Sequence, residues 1–183
     1  MAFEIDTSRK ITRALFDRLY DESLSYISVE RQRLGSEVKE RLWATTQRKD
    51  VVHRRYILDD YVVGCAVTKS IETDFSGQVE KWVWYLQPTY GETAVGSRSW
   101  WYSEDFQKVG RQYMDDNGYA KVVAIHNPTS PAAIAVTNVW GKNWDGRQYF
   151  NTPEVHPVSD VLESEQISGL SPTMRAFVIS KNT

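Results

Sequence analysis

Apolar positions recur along this chain in two rhythms. Between residues 8 and 27 the spacing is helical: Ile11, Leu15 and Leu19 repeat at every fourth position, and Phe16, Tyr20 and Leu24 form the adjacent row. Thr7 or Ser8 is placed to cap this helix. A second helix is predicted over 30–43, with Leu34, Val38 and Leu42 on its apolar stripe and Gly35 as its weak point. Its other face (Arg31, Arg33, Glu37, Lys39, Glu40, Arg41) reads as solvated surface laced by helix-spaced ion pairs. The rhythm then changes. Residues 51–58, 61–68 and 79–86 read as strands, separated by Asp59-Asp60 and by turn chemistry over 73–77. Little polar alternation breaks 61–68, which predicts a central strand covered on both faces. Such short loops predict an antiparallel meander.

The helical period returns over 99–117, where Tyr102, Phe106, Val109, Tyr113 and Met114 share a face and Asn117-Gly118 supplies a left-handed stop. Residues 121–125 form a short apolar strand. A helix precedes it, so it is expected to lie parallel to 79–86 through a right-handed crossover. Asn127-Pro128-Thr129-Ser130-Pro131 breaks the chain and launches another helix, with Ser130 as cap, Pro131 in the first turn, and Ala132, Ala133, Val136 and Trp140 inward. Residues 151–172 read as loop with at most one helical turn, and 174–180 as a closing strand. The stretch from Trp82 to Trp144 carries the chemical signal. A strand (82–86), a turn (Gln87-Pro88-Thr89-Tyr90), a small-residue loop (Gly91-Glu92-Thr93-Ala94-Val95-Gly96) and a helix start follow one another. The first amides of a helix lack internal partners and its dipole favours negative charge there, so this order suggests a phosphate-bearing ligand.

Composition narrows the classes. At 183 residues and 41% apolar content the chain is expected to form one domain over 1–183. A net charge of −2 gives no general attraction to nucleic acid or to an acidic membrane. No apolar run reaches the roughly 18 residues of a membrane helix, and the start, Met1-Ala2-Phe3-Glu4-Ile5-Asp6, lacks the features of a secretory signal. The single Cys65 fits a reducing compartment, and a cytoplasmic location is expected. It sits in an apolar run and reads as a buried, inert thiol.

Helix, helix, three-strand meander, glycine-bearing loop, helix, strand, helix and closing strand is an order that resembles the GNAT superfamily of acyl-CoA-dependent N-acyltransferases, over about residues 5–150 plus the C-terminal strand. Three local features carry the resemblance. Trp84-Tyr85-Leu86-Gln87-Pro88-Thr89-Tyr90 is similar to the family's fourth strand, which ends in a Pro and an aromatic. The loop 91–96 stands where the family has its pyrophosphate loop, (Gln/Arg)-x-x-Gly-x-(Gly/Ala). Asn127, an Ala-rich helix and Trp140-Gly141 resemble the family's Asn-x-x-Ala…Gly-Phe segment. The resemblance implies an α/β (α+β) fold with a mixed, mostly antiparallel sheet and helices on both faces. It also implies acetyl-CoA or another acyl-CoA as cofactor. The chain departs at two specialised positions. Ala94 stands at the middle glycine of the loop and Gly91 at its Gln/Arg. Thr137 stands where the family often places a Tyr that protonates the leaving thiolate, and a neutral alcohol is a poor general acid.

The site residues implied are Leu86, Glu92, Thr93, Ala94, Val95, Gly96, Ser97, Arg98 and Asn127 for the cofactor, with Glu80 and Thr137 as catalytic candidates. The amides of 93–97 could hold a pyrophosphate, with Arg98 adding charge; an ordinary strand-to-helix turn capped by Ser97 is the rival reading. Glu80 could draw a proton from an amine through water, or be a surface charge beside Lys81. His126, at the end of a parallel-type strand, lies where open sheets place ligands, or it packs as a capping histidine. His53 and His156 have no partner at metal-ligand spacing, so no metal is expected. Trp100-Trp101-Tyr102 cannot all face one core, and Trp140 with Trp144 raises the same question, so an aromatic is expected to face a substrate, a loop or a partner. Two functions follow. One is acyl transfer from acyl-CoA to an amine. The other is a non-catalytic GNAT-like structural or assembly protein, such as a viral virion or adaptor subunit, binding protein partners or a second copy of itself; its location would then be the virion.

Overall fold

The computed structural model describes residues 3–23, 36–75, 77–86, 90–91, 100 and 103–183. In chain order the elements are β1 (Phe3–Asp6), α1 (Arg13–Ser23), α2 (Ser36–Thr46), β2 (Val52–Leu58), β3 (Tyr61–Phe75), β4 (Gln78–Tyr85), β5 (Tyr90–Gly91), α3 (Glu104–Asn117), β6 (Lys121–His126), α4 (Pro131–Val139), β7 (Glu154–Pro157), a 3-10 turn (Val158–Asp160), α5 (Ser164–Ile167) and β8 (Arg175–Ser180). The strands pair in the order β1-β2-β3-β4-β6-β8-β7, and β5 adds to β3. The fold is thus mixed α/β with a mostly antiparallel sheet; the β4–β6 pair is parallel.

Several expectations are corrected. The chain opens with a strand, β1, whose Phe3–Asp6 pair with Leu58–Arg55. The first helix starts at Arg13, not residue 8, because Thr12 rather than Thr7 or Ser8 is its cap: the Leu15 amide donates to Thr12 Oγ1 at 3.2 Å and the Phe16 amide to the Thr12 carbonyl at 2.9 Å. The second helix runs to Thr46; residues 30–35 of its expected span lie outside the described residues. β3 continues to Phe75, so the turn read over 73–77 shrinks to its end, where Gly77 adopts φ +80°. Within 151–172, read as loop with at most one helical turn, the structure holds a strand, β7, a 3-10 turn (Val158–Asp160) and α5.

The contacts divide the chain into two compact units, residues 1–69 with 86–109 and residues 70–85 with 110–183. In the first, Ile11, Phe16, Leu19, Tyr20, Cys65 and Val67 form a buried cluster, with Leu15, Leu42, Trp43, Val51, Val62 and Leu86 packed against it. Here α1 supplies residues of both predicted rows, Leu15 and Leu19 with Phe16 and Tyr20, and α2 supplies Leu42 and Trp43. Their polar faces meet through ion pairs between helices: Arg13 with Glu40, and Lys39 with Asp17 and Asp21. Exposed pairs of this kind contribute little, so burial holds the helices. In the second unit, Trp82, Val83, Val122, Val123, Phe177, Val178 and Ile179 are buried along β4, β6 and β8, and Met114, Val136, Trp140 and Phe150 add to the buried set. The stop at Asn117-Gly118 forms as read: Gly118 takes φ +70° and the Tyr119 amide returns to the Met114 carbonyl at 2.9 Å.

Candidate functional site

The site begins with the parallel pair. Strand alternation sets Glu80, Trp82 and Trp84 on one face of β4 and Lys81, Val83 and Tyr85 on the other. β4 and β6 pair at Trp82↔Lys121, Val83↔Val122, Trp84↔Val123 and Tyr85↔Ala124, the last pair among the described residues. The next amide, Leu86, donates to the Val67 carbonyl of β3 at 3.0 Å. The chain meets β3 again at Tyr90↔Cys65 and Gly91↔Gly64. β6 runs two residues beyond the described pairs, and there Ile125 and His126 pair with Ala176 and Arg175 of β8. Burial falls away at the same place: Val83, Trp84, Val122 and Val123 are buried, whereas Tyr85, Ala124, Ile125 and His126 are half-buried.

Two helix starts bear on ligand binding. The helix expected from residue 99 is described from Glu104. Ser103 caps it, accepting from the Phe106 amide at 3.1 Å and donating to the Trp100 carbonyl at 2.6 Å. Glu104 and Asp105 already place negative charge in its first turn. The start of α4 is as read: Ser130 accepts from the Ala133 amide at 3.2 Å, Pro131 occupies the first turn, and no carboxylate lies there.

No protein-family model matches this sequence, and no curated protein matches it. Solved structures do match the fold. A Pyrococcus horikoshii OT3 protein aligns over 100% of this chain and 99% of its own, with TM-score 0.56 at 12% identity. A Bacillus subtilis acetyltransferase in complex with CoA aligns over the full length of both chains, with TM-score 0.50 at 9% identity. The PaiA N-acetyltransferase of Thermoplasma acidophilum in complex with coenzyme A also aligns over both full lengths, with TM-score 0.50 at 12% identity. This chain has the GNAT fold.

On the GNAT scaffold the expected residues fall as follows. Leu86 is half-buried against the first unit's core and its amide is bound to β3. Glu92, Thr93, Ala94, Val95, Gly96, Ser97 and Arg98 lie outside the described residues. Asn127 builds the β6–α4 turn: its Oδ1 accepts from the Thr129 amide at 3.1 Å and the Thr129 hydroxyl at 2.9 Å, and its Nδ2 donates to Thr173 Oγ1 at 3.3 Å. Thr137 is exposed and donates its hydroxyl proton to the Ala133 carbonyl at 3.0 Å, one turn back. Glu80 accepts from Lys121 Nζ at 3.2 Å, and that ammonium lies 5.0 Å from the Trp82 ring centroid. Lys81, the neighbour in sequence, turns elsewhere, to the Asn117 carbonyl at 3.0 Å and over the Tyr119 ring.

The remaining candidates have structural surroundings. His126 meets the Phe177 ring edge-on, with centroids 5.9 Å apart at 63°. His53 Nδ1 accepts from the Ile11 amide at 2.9 Å, and His156 lies between the Glu154 and Asp160 carboxylates at 3.1 and 4.0 Å. Among the described residues no group of His, Cys, Asp and Glu could hold a metal ion, and no helix is long and apolar enough to cross a membrane. Cys65 is 1% exposed and burial pushes its thiol up to about 12. Trp100 belongs to the core, against Phe3 at 5.7 Å and Tyr56 at 5.1 Å, while Trp101 and Tyr102 lie outside the described residues. Trp140 packs edge-on against Phe150 at 4.8 Å, and Lys142 lies over Trp144. Tyr85 is the residue that sequence reasoning passed over: only the β4–β6 register shows that it stands opposite Ala124.

Proposed function

We propose that this chain is an acyltransferase that moves an acyl group from acyl-CoA to an amine. One observation carries the reading: a parallel β4–β6 ladder in a GNAT fold, with Tyr85 and Ala124 as its last described pair and both strands' C-terminal ends half-buried. Ligands of open sheets collect at the carboxyl ends of parallel strands. Two solved structures of the same fold hold CoA, which supports the choice of donor. The residues that the resemblance implies for the donor are Leu86 for the pantetheine and the amides of 93–97 with Arg98 for the pyrophosphate. The amine nitrogen attacks the thioester carbonyl carbon, the C–N bond forms, and the C–S bond breaks to release the thiolate. Holding both reactants in attacking geometry supplies most of the acceleration.

Calorimetric titration with acetyl-CoA and with CoA tests this. Binding with a dissociation constant of about 1 μM to 1 mM, the usual span for enzyme substrates, is the expected result. No heat up to millimolar ligand overturns it. A second reading, a non-catalytic domain that binds protein partners, is favoured by the donation of the Thr137 hydroxyl into its own helix. Silence toward both nucleotides, together with a stable oligomer by light scattering, is its signature.

A further inference from the structure

We propose that His53 is a proton-operated latch on the entry to α1: a proton added to its ring frees the Lys10–Ile11 peptide and opens that entry, while the β2–β3 hairpin stays folded. The latch lies within the first unit and works whether or not the chain binds acyl-CoA. His53 and Arg55 are two residues apart on β2, so they project from one face. Together they hold both ends of a single peptide group. Arg55 Nη2 donates to the Lys10 carbonyl, and the Ile11 amide donates to His53 Nδ1 at 2.9 Å. Accepting that amide uses the lone pair on Nδ1, so the proton of the neutral ring sits on Nε2. That N–H is bonded to the Thr46 backbone at the end of α2. One ring thus ties β2 to the segment before α1 and to the last residue of α2.

The surroundings oppose charge on the ring. Ile11 and Thr46 are 3% and 1% exposed, and Ile11 belongs to the apolar cluster with Phe16, Leu19, Tyr20, Cys65 and Val67. β3 sets Val67 opposite His53 and Cys65 opposite Arg55, and burial keeps the Cys65 thiol neutral, pushed up to about 12. The charged groups acting on the ring are Lys10 and Arg55, both cationic. Of the carboxylates on the flanking segments, Asp6 accepts from Ser8 and Arg9, and Asp50 pairs with Lys69 and Arg48. A second ring proton turns Nδ1 into a donor that faces the Ile11 N–H, and it adds positive charge beside Lys10 and Arg55. The proton and the closed latch therefore exclude one another.

The direction of the pH effect follows. Burial foremost holds the ring's pKa below 6.5 in the closed form, and opening returns it to its ordinary value. The latch is at full strength above pH 6.5. Below 6.5 opening takes up one proton, so the opened fraction rises about tenfold per pH unit until the depressed value is reached.

Amide hydrogen exchange read by NMR, corrected for the intrinsic pH dependence of exchange, tests this. The amides to follow are Ile11 and, in the turn of α1 that comes next, Leu15 and Phe16, which donate to Thr12 Oγ1 and the Thr12 carbonyl. Their protection is expected to be level above pH 6.5 and to fall about tenfold per pH unit below it. Amides of the β2–β3 hairpin are expected to stay about tenfold or more better protected throughout. His53→Asn keeps an acceptor near the Nδ1 position and does not titrate, and it is expected to level the Ile11 protection across the whole range. If that variant fails to fold, the wild-type ring decides: its nitrogen shifts are expected to place the neutral proton on Nε2, and the fall in Ile11 protection is expected to end at the ring's own titration midpoint. Level Ile11 protection through pH 6.5, a slope that survives in His53→Asn, a neutral ring protonated on Nδ1, or Ile11 exchanging no faster than the hairpin overturns the latch.

Discussion

Gly141 follows Trp140 where the chain turns back toward residue 152, and its lack of a side chain is a matter of space. A Cβ built there meets Thr152 Oγ1 at 2.6 Å and the Thr152 backbone nitrogen and Cα at 2.8 Å. Backbone cannot step aside as a flexible side chain can. Gly141→Ala is therefore expected to cost about 1–3 kcal/mol, the range of overpacked sites, read as a lower urea midpoint. His53 gives a second prediction at this scale. Its Nδ1 accepts the Ile11 amide, so the ring must stay neutral there. Burial foremost, with Lys10 and Arg55 adding repulsion against a raising backbone bond at Thr46, holds its pKa below 6.5. As pH falls through 6.5 the unfolded chain binds this proton and the folded chain does not. The stabilisation is full above 6.5 and is lost as pH falls through the depressed folded value. Urea midpoints are expected to drop as pH falls below 6.5, and His53→Asn, which keeps an acceptor near the Nδ1 position, is expected to flatten that slope.

At the scale of the element, the β2–β3 hairpin is the least conventional piece. Its two turn residues, Asp59 and Asp60, both take positive φ, 49° and 67°. Two-residue hairpins favour this mirror-image turn because its twist matches the strands, but the second position ordinarily holds glycine. The β3–β4 turn follows that preference, with Gly77 at φ +80°. Asp60→Gly is expected to stabilise by about 0.5 kcal/mol, the relief of left-handed backbone less the added freedom of the unfolded chain. A raised urea midpoint at unchanged slope checks it. The elements that could be read from sequence were those with a full period or a cap. α4 shows this with Ser130 and Pro131, and β6 with an unbroken apolar run. β1 and β7 were missed because four residues are too few to display alternation, and Glu154, Val155 and Pro157 are all exposed on an edge, so burial leaves no mark in their composition.

For the molecule as a whole, the segment 144–151, which no predicted element covers, is firmly tied. Arg111 Nη1 donates to the Tyr149 carbonyl at 2.8 Å and to the Asn182 carbonyl at 2.7 Å. The Asn182 amide returns to the Tyr149 carbonyl at 3.0 Å, and Lys181 binds Asp115 at 2.8 Å. One guanidinium on α3 thus fastens both the 144–151 segment and the chain's last residues. Arg111→Ala leaves two half-buried carbonyls without this donor. Its expected cost is about 1–3 kcal/mol, with hydrogen exchange accelerated first at Asn151 and Asn182. Arg111→Lys is expected to recover only part of this, because an ammonium lacks the planar fork.

Periodicity located the helices and main strands and many of the residues they bury, capping chemistry located the start of α4, and the element order resembled that of GNAT proteins. Those are local properties, set by side-chain spacing and by backbone groups within a few residues. The partners were decided in three dimensions: Lys121 rather than Lys81 for Glu80, the β3 carbonyl of Val67 for the Leu86 amide, and Tyr85 beside Ala124. A strand's period of two determines which face a side chain takes but not which residue of a strand dozens of positions away comes to lie beside it. That choice belongs to sheet register, and register is set by packing over the whole fold.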